Sequence, residues 1–252
     1  LIIMSKLRKI IVSEIEDYRV LLRSAPAVTM IFFCVSVILM NLFASKELLN
    51  IEYLGLDCGF LLSWLSFLCM DMLTKRFGAK PAIKLSLFAV FLNLITCIFF
   101  FIVAHIGNNW AAFYTYENDI ANSAVNETIG GTWYVLVGSM TAFVVSAIVN
   151  ALLNEGIGKL VKRKNFVEYA LRSYASTMIG QFVDNLVFAS LVSKIFFGWT
   201  WKQVVFCSLA GAIAELLSEV IFSPIGFKVC KKWEKHNVGA DYIKYTLSKE
   251  RR

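Results

Sequence analysis

Ser173-Tyr174-Ala175-Ser176-Thr177-Met178-Ile179-Gly180-Gln181-Phe182-Val183-Asp184-Asn185-Leu186-Val187-Phe188 is the stretch whose reading decides the rest. Wound as an α-helix, it sets Ser173, Ser176, Thr177, Gly180, Gln181, Asp184, Asn185 and Phe188 along one face, at steps of three and four residues. The other face is Met, Ile, Phe, Val and Leu. Long apolar runs flank the stretch, so the helix is expected to cross a bilayer. A carboxylate and two carboxamides cannot face lipid cheaply and must face protein or a wet cavity. The stripe is therefore expected to line a solute site inside a helical bundle. Packing alone would need only small residues.

Composition supports the same class. The chain has 252 residues, 58% of them hydrophobic, with 17% charged and only three Pro. That is too apolar for an ordinary soluble domain, and several separate runs approach the length a bilayer demands. The expectation is an all-α, polytopic membrane protein with six transmembrane helices in one bundle. A net charge of +7 could suggest nucleic acid, but the basic residues sit between apolar runs, as membrane orientation requires. No nucleic-acid partner is expected. The six Cys form no CxxC pair and behave as small hydrophobes. Neither a metal site nor a cofactor is expected. His105 and His236 lie outside the apolar runs, which argues against a histidine proton relay and against an intramembrane Ser-His protease. No GxxxxGK[ST] or HExxH motif occurs. The chain is expected not to be an enzyme.

Residues 1–27 read as a cytoplasmic amphipathic segment, with Leu7, Ile10, Ile11, Ile15, Tyr18, Leu21 and Leu22 on one face and Pro26 as its stop. Residues 28–229 read as the transmembrane domain. The first span, roughly Val28–Leu49, has no small-residue cleavage site after it, so no cleavable signal is expected. It carries Asn41 and Ser45 on one face. The second, about Gly59–Thr74, ends in Asp71, which serves either as a polar site contact or as an interfacial partner of Lys75 or Arg76. The third is Ala82–Ala104. Residues 105–131 carry Glu117, Asp119 and Glu127, no Lys or Arg, and several aromatics, and read as an extracytoplasmic lid. The fourth span, about Thr132–Asn154, has a polar line through Ser139, Ser146, Asn150 and Asn154. The fifth is about Arg172–Phe196. The sixth, about Trp201–Val229, carries Glu215 and Glu219 one turn apart, a candidate proton-coupling pair. Residues 230–252 read as a basic cytoplasmic tail.

Orientation follows from the basic residues. With these spans, 22 of the 25 Lys and Arg fall on one side. Only Lys46, Lys194 and Lys202 fall on the other. By the positive-inside rule both termini are expected in the cytoplasm.

Two segments together resemble the queuosine precursor transporter family, also called VUT or YhhQ-like. One is Phe67-Leu68-Cys69-Met70-Asp71-Met72-Leu73-Thr74-Lys75-Arg76-Phe77-Gly78, similar to that family's apolar helix ending in Asp, Thr and an aromatic-Gly pair. The other is Ser176 to Phe188, similar to its Ser…Gly-Gln/Asn…Asp…Phe helix. The chain departs from the family pattern at Trp64, Lys75, Asn150 and Ala214. The resemblance implies a multi-pass carrier of the bacterial inner membrane that imports 7-deazaguanines such as preQ0, preQ1 or queuine. The residues suit such a nucleobase-like solute independently. Asp184 can accept the exocyclic amine and ring N–H together, and Gln181 or Asn185 can meet the carbonyl edge. Phe188, Phe67, Trp64 or Phe182 can stack on the ring. Asp71, Asn41 and Asn150 complete the candidate site. The driving force and oligomeric state are left open, a homo-oligomer included. The alternatives are a substrate-binding subunit of an ATP-driven vitamin importer, disfavoured by the bulky first span, a membrane enzyme, which lacks a nucleophile-base pair, and a non-transporting bundle.

Overall fold

The computed structural model describes residues 2–107, 109–110, 119–160 and 178–250. Helix α1 (Ile2–Ser24) meets α2 (Ala27–Phe43) at a bend of 106°. Pro26 sits at the bend in extended conformation; it has no amide hydrogen to continue α1 and its fixed φ suits the start of α2. A hairpin follows, β1 (Glu47–Ile51) against β2 (Leu54–Asp57), antiparallel with a bulge between Glu47 and Leu49. Then come α3 (Phe60–Phe77), α4 (Ala79–Ala104), α5 (Asp119–Gly130), α6 (Thr132–Leu160), α7 (Met178–Phe197), α8 (Trp201–Lys235) and α9 (Ala240–Glu250).

Among the described residues, four helical stretches are long and apolar enough to cross a membrane, and a fifth is gained if the bent α1–α2 pair counts as one span. Helix α3 falls short of that measure because its 18 residues include Asp71, Lys75 and Arg76. The chain is a multi-pass helical membrane protein with one small hairpin. The outward faces of the helices are apolar, as at Phe91, Phe99, Val144 and Ile221, which is what a lipid solvent requires.

The bundle has two distinct ends. At the end that carries the chain termini, Leu21, Phe33, Leu73, Leu85, Trp233 and Tyr242 form a core with Cys69 and Cys230. Asp17 of α1 is buried there. It accepts from Lys84 Nζ at 2.5 Å and from the Tyr242 hydroxyl at 3.3 Å, while Glu14 takes the same Lys84 at 2.6 Å. Arg76 Nε donates to the Val238 carbonyl at 2.7 Å. Helix α1 and the turn into α9 are thus fastened to the helices on either side of the α3–α4 turn.

At the other end, the hairpin is clasped by the start of α8. Thr200 and Gln203 form a reciprocal capping box, and the same Gln203 amide reaches on to Asn50 Oδ1 at 2.8 Å and the Ile51 carbonyl at 3.1 Å. Trp199 Nε1 donates to Glu47 Oε1 at 2.8 Å, and the Trp199 ring lies so close over Gly55 that no side chain fits there.

The first expected span is corrected. It ends at Phe43 rather than Leu49, because the backbone closes a turn at Ser45 and Lys46 and then pairs as a strand. Apolar Leu48 and Leu49 read as span but belong to the hairpin, so the chain is not wholly helical. The expected lid at 105–131 holds a helix, α5, packed on α4; residues 108 and 111–118 lie outside the described part. The expected fourth span runs on to Leu160.

Candidate functional site

The stripe of α7 is the natural starting point. Asp184, Asn185 and Phe188 face a cavity of about 110 Å³, room for several waters or one small ring system. Helix α2 brings Asn41, which is buried to 3% exposure. Helix α8 brings Glu215 and Gly211, α6 brings Ser139, and α3 brings Phe60 and Ser63. The hairpin closes one side with Leu56 and Asp57.

The polar groups are oriented by their neighbours. Ser146 Oγ donates to Asp184 Oδ1 at 2.8 Å, which leaves the second carboxylate oxygen for a ligand. Asn185 Nδ2 lies 3.5 Å from Glu215 Oε2. That approach depends on Gly211, where a Cβ would stand 2.8 Å from Asn185 Nδ2. Asp57 Oδ1 accepts from the Gly59 backbone N–H at 2.9 Å. Burial pushes the Asp57 carboxyl up to about 7, against the lowering effect of the Gly59 and Phe60 backbone N–H groups.

The α7 backbone changes pitch beside the cavity. After Phe188 the chain runs through a π-type turn, Ala189–Ser193, before resuming as α-helix. Such turns recur at functional sites because they rotate the following residues off the regular helical face. Here the turn is braced from α6, where the Tyr134 hydroxyl donates to the Leu191 carbonyl at 2.8 Å. Ala189 and Ser193 both reach the cavity wall.

Of the residues expected from sequence, Asp184, Asn185, Phe188, Asn41 and Glu215 come together. Gln181 is not among the residues lining the cavity; the site begins one turn further along α7. Trp64 stacks on Phe222 at 4.4 Å, away from the cavity. The side chains of Phe67, Asp71, Asn150 and Glu219 lie outside the described part. Sequence reading missed Asp57, Phe60 and Gly211. A lone Asp between Leu56 and Cys58 has no periodic partner, and a glycine that makes room for an amide on another helix leaves no local signal. A second, apolar cavity of about 220 Å³ lies behind Met40, Asn41 and Ser139, which border both spaces.

A bundle of apolar helices surrounds a small cavity into which carboxylates, carboxamides and an aromatic ring turn, and this defines a multi-pass helical membrane protein. Comparison with known families agrees. A family described as "Putative vitamin uptake transporter" matches residues 57–229, and the chain belongs to that family of membrane transporters. No curated protein matches the chain, and no solved structure does.

Proposed function

We propose that this protein imports queuosine precursors, 7-deazaguanine bases, across the bacterial inner membrane as a secondary carrier. In this reading six helices span the bilayer, α2, α3, α4, α6, α7 and α8, and both termini lie in the cytoplasm. The observation that carries the proposal is the meeting of Asp184, Asn185, Phe188 and Asn41 around one cavity. A deazaguanine offers an amine and a ring N–H on one edge and a carbonyl beside them. A carboxylate with one free oxygen and nearby carboxamides complement that edge, and charge-assisted pairs of this kind are the strong ones. Phe188 and Phe60 offer faces for the flat ring. Glu215, with Glu219 one turn on, is the candidate proton carrier for coupled uptake.

The test is tRNA modification in a host that cannot make queuosine, expressing this protein and fed each precursor in turn. Modification that depends on both the protein and an added precursor supports the proposal. Its absence with every precursor, with the protein present in the membrane, refutes it.

A further inference from the structure

The apolar stretch of α8 that is long enough to cross a membrane ends at Phe222. Just past it, Pro224, Phe227 and Lys228 line an open cleft together with Lys75 of α3. The two helices meet closely here: a Cβ on Gly226 would stand 3.1 Å from Leu68 and 3.3 Å from Met72. That approach sets the last turn of α3 beside Phe227. Lys75 Nζ lies 4.1 Å from the centre of the Phe227 ring, and Lys231 Nζ lies 5.6 Å from it. Two ammonium groups are thus held on one ring, closer together than the roughly 10 Å over which salt screens charge. The ring attracts each cation but neutralises neither. Among the described residues, neither Lys75 nor Lys228 has a carboxylate partner. Lys231 has Glu234 at 3.9 Å, but both side chains are at least half exposed and water screens the pair.

A second feature lies on the same helix. Leu217, Ile221 and Ile225 recur every fourth residue of α8, and each is more than half exposed. They run from the membrane-crossing stretch down to Lys228, so cations stand at the foot of an apolar track. A soluble phosphate would use the cations and leave the track bare. A zwitterionic lipid would cover the track but bring its own cation to the lysines. We propose that this cleft between α3 and α8 binds one anionic phospholipid of the surrounding bilayer. Its phosphate is held by Lys75, Lys228 and Lys231, and an acyl chain lies along Leu217, Ile221 and Ile225. Basic pockets between membrane helices hold acidic headgroups by the same attraction.

The experiment is native mass spectrometry of the purified full chain in detergent, with phosphatidylglycerol and phosphatidylcholine of identical acyl chains. The parent is expected to retain one phosphatidylglycerol in preference to phosphatidylcholine by about tenfold or more. Lys75→Gln and Lys228→Gln are each expected to lower that preference about fivefold, and together to bring it near one. Lys235→Gln with Lys244→Gln removes the same charge from the same end of the bundle and is expected to leave the preference intact. Equal retention of the two lipids by the parent overturns the inference. So does a control pair that lowers the preference as much as the cleft pair does, because the attraction is then diffuse. Displacement of the lipid by an equal concentration of glycerol 1-phosphate also overturns it, because the cleft then takes a soluble phosphate. If the cleft pair does not fold, the single variants decide, and an unchanged preference in both overturns the inference. No queuosine precursor enters the measurement, so its failure leaves the deazaguanine reading untouched.

Discussion

The Tyr134 hydroxyl on α6 donates to the Leu191 carbonyl inside the π turn of α7, at 2.8 Å. A π turn misaligns the usual i to i−4 ladder, and a carbonyl it frees inside a membrane needs another donor. The Tyr134 ring also stacks on Phe196 at 5.6 Å. Tyr134→Phe keeps the stack and removes only the hydrogen bond. It is expected to cost about 0.5–1.5 kcal/mol, read as a lowered melting temperature of the purified protein. If the turn then relaxes toward regular helix, uptake falls as well, because Ala189 and Ser193 leave the cavity wall.

Asp184→Asn and Asp184→Ala are expected to weaken precursor binding by a similar amount. The Asn variant keeps the shape and the Ser146 contact, but it presents a donor where the ligand also presents donors. The expected loss is about 1–3 kcal/mol, roughly fivefold to over a hundredfold in affinity. Titration calorimetry on folded variants checks it. Parent-like binding by Asp184→Asn would place the site elsewhere.

Gly211→Ala tests the site without touching a polar group. The new Cβ meets Asn185 Nδ2 at 2.8 Å, so the amide must swing away from Glu215. Overpacking of this kind costs about 1–3 kcal/mol. Binding is expected to fall along with thermal stability, and Asn185→Ala in the Gly211→Ala background should recover stability but not binding.

Asp17 and Glu14 share the Lys84 ammonium but not its surroundings. Asp17 is 5% exposed, and Tyr242 donates to it as well, whereas the Glu14 side chain is 53% exposed. Removing the buried partner leaves the largely buried Lys84 ammonium with only Glu14, whose pair is screened by water. Asp17→Asn is therefore expected to destabilise by several times as much as Glu14→Gln, measured as loss of melting temperature. Tyr242 adds a pH signature. Burial and the Asp17 charge push its hydroxyl up to about 12, above the ordinary value near 10. Its contribution to stability is thus complete below about pH 10 and is lost as pH rises toward 12. A Tyr242→Phe variant should lose that alkaline step.

Much of this arrangement was legible in the sequence, for reasons that differ residue by residue. The α7 stripe announced Asp184, Asn185 and Phe188 because helical periodicity fixes angle around the axis. It could not fix depth along the axis, so Gln181 looked equivalent, yet it is not among the residues that line the cavity. Pro26 marked the bend because no other residue lacks an amide hydrogen. The hairpin was hidden because its strands are only five and four residues long and abut an apolar helix. Its pairing is stabilised by Trp199 and Gln203, some 150 positions away. Asp57 reaches the cavity wall only through that hairpin.

Helix α8 holds the hairpin through Gln203, borders the cavity through Gly211 and Glu215, and packs into the core at the terminal end through Cys230 and Trp233. At 35 residues it is about 50 Å long, one rod fixed at three heights. Between the cavity and the lowest anchor stands Pro224, which cannot donate its backbone hydrogen bond and so leaves the rod its softest joint. The two arms on either side of that joint are unequal. The longer reaches from the joint to the hairpin and the shorter from the joint to Trp233. A bend at that joint moves the hairpin end of the rod through a wider arc than the Trp233 end, because that arm is the longer.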